Sequence, residues 1–144
     1  MLRVLRSHYP SVTRVSYPQS GTCRLHCYVS MTPSAEGQAK NVAMAALGED
    51  LSLKLVVVVD EDVDVRRDDE VMWAIATRMQ ADRDLVVIPN AMGAILDPSS
   101  RAGTTAKVVI DATRPLGGFP PRHTLPPEAV RRALELIGRR PRSE

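Results

Sequence analysis

The chain is poor in cysteine and in aromatics: two Cys, one Trp, three Tyr and one Phe. So few thiols exclude a disulfide-stapled scaffold, and so few rings leave the core to Val, Leu, Ile, Ala and Met. Cys23 and Cys27 lie in "GTCRLHCYVS". On one strand they share a face with Cα atoms about 13 Å apart, too far for a disulfide. His26 points to the opposite face and no second Cys/His pair follows at zinc spacing, so two buried thiols in a strand is the preferred reading. No apolar run approaches the roughly 18 residues that cross a bilayer. The start, "MLRVLRSHYP", lacks the apolar stretch of a secretory signal, so a cytoplasmic protein is expected. The net charge of +2 is too small to argue for nucleic acid. Basic residues gather only in "RRALELIGRRPRSE", read as a solvated tail. Neither GxxxxGK[ST] nor GxGxxG occurs, so phosphate work is not expected.

What is present is ordinary globular material. The 144 residues, 44% hydrophobic and 25% charged, make one domain. "VTRVSY" (Val12–Tyr17) and "CRLHCYVSM" (Cys23–Met31) read as two strands joined by a Pro/Gly turn. "TPSAEG" opens a helix, with Ser34 as its cap. Ala39, Val42, Ala43, Ala46 and Leu47 form its apolar stripe and Gly48 its stop. Leu53–Val59 is a near-continuous β-branched run, hence a strand buried on both faces. Asp68 and Asp69 start the next helix, where carboxylates favour the dipole, with Met72, Ile75, Ala76 and Met79 as its inner stripe. Asp84–Pro89 reads as a third buried strand, followed by a long loop, 90–105, and a last strand, Lys107–Asp111.

A linker of residues 112–126 leads to a final helix, 127–138, with Val130, Ala133, Leu134 and Ile137 on one face. The division is thus an α/β core over 1–111, a linker and a terminal helix. The pattern predicts an α/β fold: a three-layer sandwich with a mixed sheet of about five strands and flanking helices. A helix behind so long a linker can pack on a neighbouring subunit instead of its own sheet.

Four acids, Asp60, Glu61, Asp62 and Asp64, follow the valine run. Such a cluster at a strand end can hold Mg²⁺ or orient a ligand. The spacing is not that of an EF-hand, which needs Gly at the sixth and Glu at the twelfth loop position. The plainer reading is a polar strand exit whose carboxylates meet amides or arginines. His8, His26 and His123 are scattered. Ser99 and Ser100 in "DPSSRAG" lack the GxSxG elbow. Trp73 reads as core, and Lys40 and Asn41 as exposed helix positions. No catalytic constellation emerges from spacing.

Five blocks, "CRLHCYVSM", "GQAKNVAMAALG", "KLVVVVDEDVDVRRDDEVMWAIATR", "DLVVIPNAMGAILDPSS" and "KVVIDATRPLG", together resemble the C-terminal domain of the UbiD family of reversible carboxy-lyases. The resemblance runs from about Tyr9 to Ile137. It implies an enzyme that uses prenylated flavin mononucleotide and a metal ion to decarboxylate aromatic or α,β-unsaturated acids. In that family the flavin site, the metal ligands and the catalytic Glu–Arg–Glu network belong to the N-terminal part. The resemblance therefore carries no catalytic, cofactor-binding or metal-binding residue onto this chain. Prenylated FMN and the metal are expected on a partner catalytic chain or domain.

What the resemblance does bring is assembly, through a last helix that reaches a neighbouring protomer, and a substrate mouth. Matching "MGAILDP" to the family's mouth loop makes Ala94, Ile95 and Leu96 the apolar lid, with the turn at Leu51 approaching the same mouth. Met92 stands where the usual pattern has an arginine, and "KVVIDAT" replaces "KMGIDAT". The expected function is that of a small subunit, or the assembly and mouth domain, of a UbiD-type decarboxylase, in a homo- or hetero-oligomer. The isolated chain is expected to be inactive. A non-catalytic interaction or regulatory protein that retained the fold is the alternative. A small enzyme using Asp60–Asp64 is a third reading.

Overall fold

The computed structural model describes residues 1–138. Its elements in order are α1 (Leu2–His8), β1 (Val12–Ser16), β2 (His26–Met31), α2 (Gln38–Glu49), β3 (Leu55–Asp60), α3 (Asp68–Arg78), the single turn α4 (Ala81–Asp84), β4 (Leu85–Met92), β5 (Thr104–Ala112) and α5 (Pro127–Gly138). One five-stranded mixed sheet has the order β1-β2-β3-β5-β4. β2, β3 and β5 are parallel, while β1 and β4 close the two edges antiparallel. The α/β sandwich predicted from the pattern is the fold observed.

The valine run becomes the central strand because its side chains are apolar on both faces. Val56 and Val58 join Cys27, Val29, Met31 and Val109 beneath α2. Val57 and Val59 join Tyr28, Val71, Ala74 and Ala112 beneath α3. All four valines are fully buried, each stabilising by roughly 1.5–3 kcal/mol relative to exposure. The buried face of α2 is the predicted stripe of Ala39, Val42, Ala43, Ala46 and Leu47. Its alanines let the helix lie close to the sheet.

Several local expectations are corrected. Residues 2–8 form a helix that the sequence reading did not assign. Leu5 is buried, and Arg6 anchors the helix through Nε and Nη2 to the carbonyls of Val12 and Thr13. Cys23 is not in a strand: it is exposed in a turn where it and Thr22 have positive φ, whereas Cys27 is buried in β2. The chain doubles back there so tightly that a Cβ on Gly21 would lie 2.3 Å from the Cβ of His26.

Ser34 does not cap α2. The helix begins after Gly37, at φ 78°, and Ser34 instead donates its N–H and hydroxyl to Gln38 Oε1. Gly48 lies inside the last turn of α2. The buried face of α3 is Val71, Ala74 and Arg78; of the expected stripe Ile75 packs against that core, whereas Met72 and Ala76 are exposed and Met79 is the C-cap, because a buried charge pulls Arg78 inward. From Leu85 on, Asp84–Pro89 is a strand but not a buried one. β4 is an edge strand whose outer residues, Leu85 and Val87, are exposed beside Ile110 and Val108. β4 and β5 run on as a hairpin, which shortens the expected 90–105 loop, and β5 continues through Ala112. Arg139–Glu144, in the basic tail, lie outside the described residues.

Candidate functional site

Two polar clusters sit at opposite ends of the parallel strands. At their carboxyl end, the acid run meets arginines of its own chain. Asp60 Oδ2 accepts from Arg78 Nη1 (2.6 Å) and the Arg114 amide (2.8 Å), with Arg114 Nε at 3.3 Å. Both oxygens of Asp62 accept from Arg78. Burial pushes the Asp62 carboxyl up, but the Arg78 hydrogen bonds and the charges of Arg78 and Arg114 outweigh it and hold the group below its ordinary value. Trp73 lies nearby, with Arg78 at 5.0 Å and Arg122 at 4.0 Å from its ring centre. Arg122 also makes a forked pair with Glu70. The 112–126 segment is therefore strapped to the core by Arg114 and Arg122.

A metal ion does not fit there: two guanidiniums already occupy the carboxylates and would repel a cation. Among the described residues no group of three or more His, Cys, Asp or Glu is arranged to hold one. The strand-exit reading of Asp60–Asp64 is the one the geometry supports.

At the amino end of the parallel strands lie the residues expected at the mouth. Gly93 N–H donates to Gly103 O (2.9 Å), closing the loop between β4 and β5. A Cβ at Gly93 would come 2.7 Å from Thr105 Cγ2, so this crossing requires glycine. Asp97, only 3% exposed, is the loop's anchor. Its Oδ1 accepts from the Ser99 amide and hydroxyl. Its Oδ2 pairs with Lys54 Nζ at 2.9 Å and accepts from Thr105 Oγ1. Lys54 also donates to Ser99 Oγ. The Lys54 hydrogen bond, helped by Ser99 and Thr105 against the cost of burial, brings the Asp97 carboxyl down to about 2.

Held by that anchor, the loop tip presents apolar side chains outward: Ile95 is 91% exposed and Leu96 76%. Ala94 is half-buried, and Met92 is exposed. Leu51 is exposed in the turn after α2, and Lys107 Nζ donates to its carbonyl. Lys107 itself is buried, which lowers its pKa. Leu51 and the 94–96 tip thus occupy the same end of the sheet, tied to it by Lys107 and Lys54. No lid side chain is titratable, so this rim can exclude water and shape a substrate but cannot move a proton.

The sequence reading missed Lys54, Asp97, Thr105 and Lys107 in this role. The "DPSS" turn carried a signal, since Asp commonly accepts from the amide two residues on. Ser99, set aside there for want of a nucleophile elbow, serves the anchor. The histidines remain apart: His8 contacts Ser7, His26 has its pKa lowered by burial, and His123 lines a cleft beside Trp73.

Residues 1–112 match the 3-octaprenyl-4-hydroxybenzoate carboxy-lyase C-terminal domain. An anhydromevalonate phosphate decarboxylase of Methanothermobacter thermautotrophicus is 48% identical over 115 residues, covering 79% of this chain and 27% of the relative. Among solved structures, the UbiD-class enzyme HmfF of Pelotomaculum thermopropionicum, in complex with FMN, superposes with a TM-score of 0.82 at 42% identity. That match covers 87% of this chain and 29% of the other. The vanillic acid decarboxylase of Sedimentibacter hydroxybenzoicus gives a TM-score of 0.75 at 33% identity, covering 96% and 31%. The chain spans about a quarter to a third of the length of these relatives.

Proposed function

The chain belongs to the UbiD family of carboxy-lyases, as a counterpart of their C-terminal domain, and from that premise we propose that it is the assembly and substrate-mouth component of a decarboxylase. The acid is aromatic or α,β-unsaturated, and the prenylated flavin and metal sit on a catalytic domain that this chain covers. The observation that carries this reading is the loop tip. Ile95 and Leu96 are apolar and almost wholly exposed, yet they are held by a buried, four-contact carboxylate at Asp97. Ordering an apolar tip against solvent is costly unless a partner surface covers it. Leu51 and Ala94–Leu96 then close the mouth and keep water from the reacting acid.

Assembly draws on a second bare surface. Among the described residues none of α5 is buried, although Val130, Leu134 and Ile137 share a face with Ala133. The α3 side of the sheet leaves Leu85 and Val87 uncovered. Association of copies through α5 covers both kinds of surface. No helix among the described residues is long and apolar enough to cross a membrane.

Co-expression with a candidate flavin-binding chain, followed by mass analysis of the purified complex, tests the proposal. A complex that carries flavin and decarboxylates is the expected result. In that complex, Ile95→Ser combined with Leu96→Ser lowers kcat/KM about tenfold or more through lost closure. It leaves the Tm of the isolated chain within about 2 °C, because exposed substitutions cost within roughly 0.5 kcal/mol. Flavin absorbance co-purifying with the isolated chain, or full activity of the double variant, defeats the reading.

A further inference from the structure

At the base of the mouth loop is an open cleft of about 410 Å³, lined among others by Lys54, Asn90, Ser99, Arg101 and Thr104. Two cations line it and no carboxylate does. Asp97 lies behind Lys54, buried and consumed by its four contacts. Lys54 has three N–H donors; Asp97 and Ser99 engage two of them, leaving the third for the cleft. The Arg101 guanidinium makes no hydrogen bond or ion pair among the described residues. Its backbone, by contrast, is pinned in both directions to Thr104.

Asn90 adds a third donor. The β4–β5 register shifts between Ile88 and Ala91, and Asn90 sits in that irregularity with φ 54°. A bulge of this kind re-aims a side chain that would otherwise follow the pleat, and a positive φ outside glycine is tolerated best by Asn. The Asn90 side-chain amide has no partner among the described residues. Three unspent donors, two of them charged, thus come from β4, the turn before β3 and the loop. Spare N–H groups on an unpaired guanidinium and on an ammonium whose ion pair with Asp97 leaves one donor over are what a phosphate oxygen set can use. The arrangement uses side chains, which is why no glycine-rich signature marks it in the sequence.

We propose that this cleft is an anion subsite for a phosphomonoester, so that the acid handled at the mouth carries a phosphate on its far end. The assignment of that phosphate to a substrate rests on the decarboxylase reading above; the anion site itself does not. Only Asp97 and Pro98 separate the lid residue Leu96 from Ser99 in the cleft wall. The cleft and the lid residues thus belong to one loop, so a ligand whose phosphate meets Lys54 and Arg101 would lie next to the lid. The relative at 48% identity is named for a phosphate-bearing substrate, which agrees with this assignment. An unphosphorylated aromatic acid would leave Arg101 and Asn90 unused.

The test is a titration of the full chain, followed by amide ¹H–¹⁵N shifts, with inorganic phosphate in one arm and glycerol phosphate in the other. Chloride holds the ionic strength constant. Saturable shifts centred on Asn90, Arg101 and Thr104 are expected in both arms. Arg101→Gln should weaken both about tenfold, as loss of a charge-assisted pair does, while the exposed position preserves the fold. Asn90→Gly, which keeps the positive φ, should weaken binding by a smaller factor.

Shifts that chloride reproduces, saturation elsewhere on the chain, or unchanged affinity in Arg101→Gln overturn the site. Binding of inorganic phosphate but not of glycerol phosphate overturns its assignment to a phosphomonoester. The titration needs no flavin partner, so a saturable site in a chain that never assembles with one would count against the decarboxylase reading alone.

Discussion

Replacing Arg78 by Met keeps most of the buried stem and removes the charge, which isolates the ion network from packing. The Arg78 side chain is 1% exposed and that of Asp60 8%. The substitution deletes one hydrogen bond to Asp60 and two to Asp62. Breaking a buried pair from one side costs about 3–5 kcal/mol, because the remaining charge is left desolvated. Two features place this case at the low end. Asp60 keeps the Arg114 amide and guanidinium, and Arg78 Nε is already buried without a partner. A loss of about 3 kcal/mol is therefore expected, lowering Tm by roughly 10 °C in a domain of this size.

The assay is a thermal and urea melt of the wild type, Arg78→Met, Asp60→Asn and the double variant. The double variant should recover at least about 1 kcal/mol relative to the sum of the singles, since neither charge is then stranded. The Asp62 carboxyl is held below its ordinary value, so its contribution is complete above the unfolded pKa of about 3.9. It is lost as pH falls through the lower folded value, and Arg78→Met should flatten that acid limb. A single-variant loss under about 1 kcal/mol, or strict additivity, refutes the network as a structural anchor.

Asp97, brought down to about 2, should anchor the mouth loop fully above about pH 4 and release it as pH falls through about 2. Protection factors of the amides across 94–100, taken relative to intrinsic exchange at each pH, should fall over that window, and an Asp97→Ala variant should show the lost protection at neutral pH. A thiol reagent at pH 8 should label one cysteine: Cys23 is exposed, whereas Cys27 is buried and its pKa is pushed up to about 12. Mass analysis showing two labels in the native chain would contradict the burial of Cys27. Leu134→Asp, on the bare face of α5, should lower the oligomeric state in light scattering while shifting Tm by less than about 2 °C once monomeric.

Runs of one character were legible because a single physical rule governs them. Four successive valines can only be comfortable with apolar cover on both faces, and β3 is the central strand. The 3.6-residue stripe of α2 is its buried face residue for residue. The α3 stripe held only at Ile75, because a hydrophobicity pattern assigns an arginine to the outside. Arg78 is inside only because Asp60 and Asp62, far from it in sequence, stand at the end of the neighbouring strand. Asp84–Pro89 reads as a buried strand but is not one, because strand order decides which face is covered and β4 lies at an edge.

The same division runs through the mouth. Sequence alone determined the fold class, the central strand, the family and the apolar character of Ala94–Leu96. These depend on local pattern or on contiguous motifs. Only the tertiary structure decided that Asp97 would be the loop's anchor, that Lys54 and Lys107 would tie loop and turn to one end of the sheet, and that Arg101 and Asn90 would share a cleft. Those outcomes depend on distances between residues that local pattern does not relate, which are fixed only once the sheet has its strand order and register.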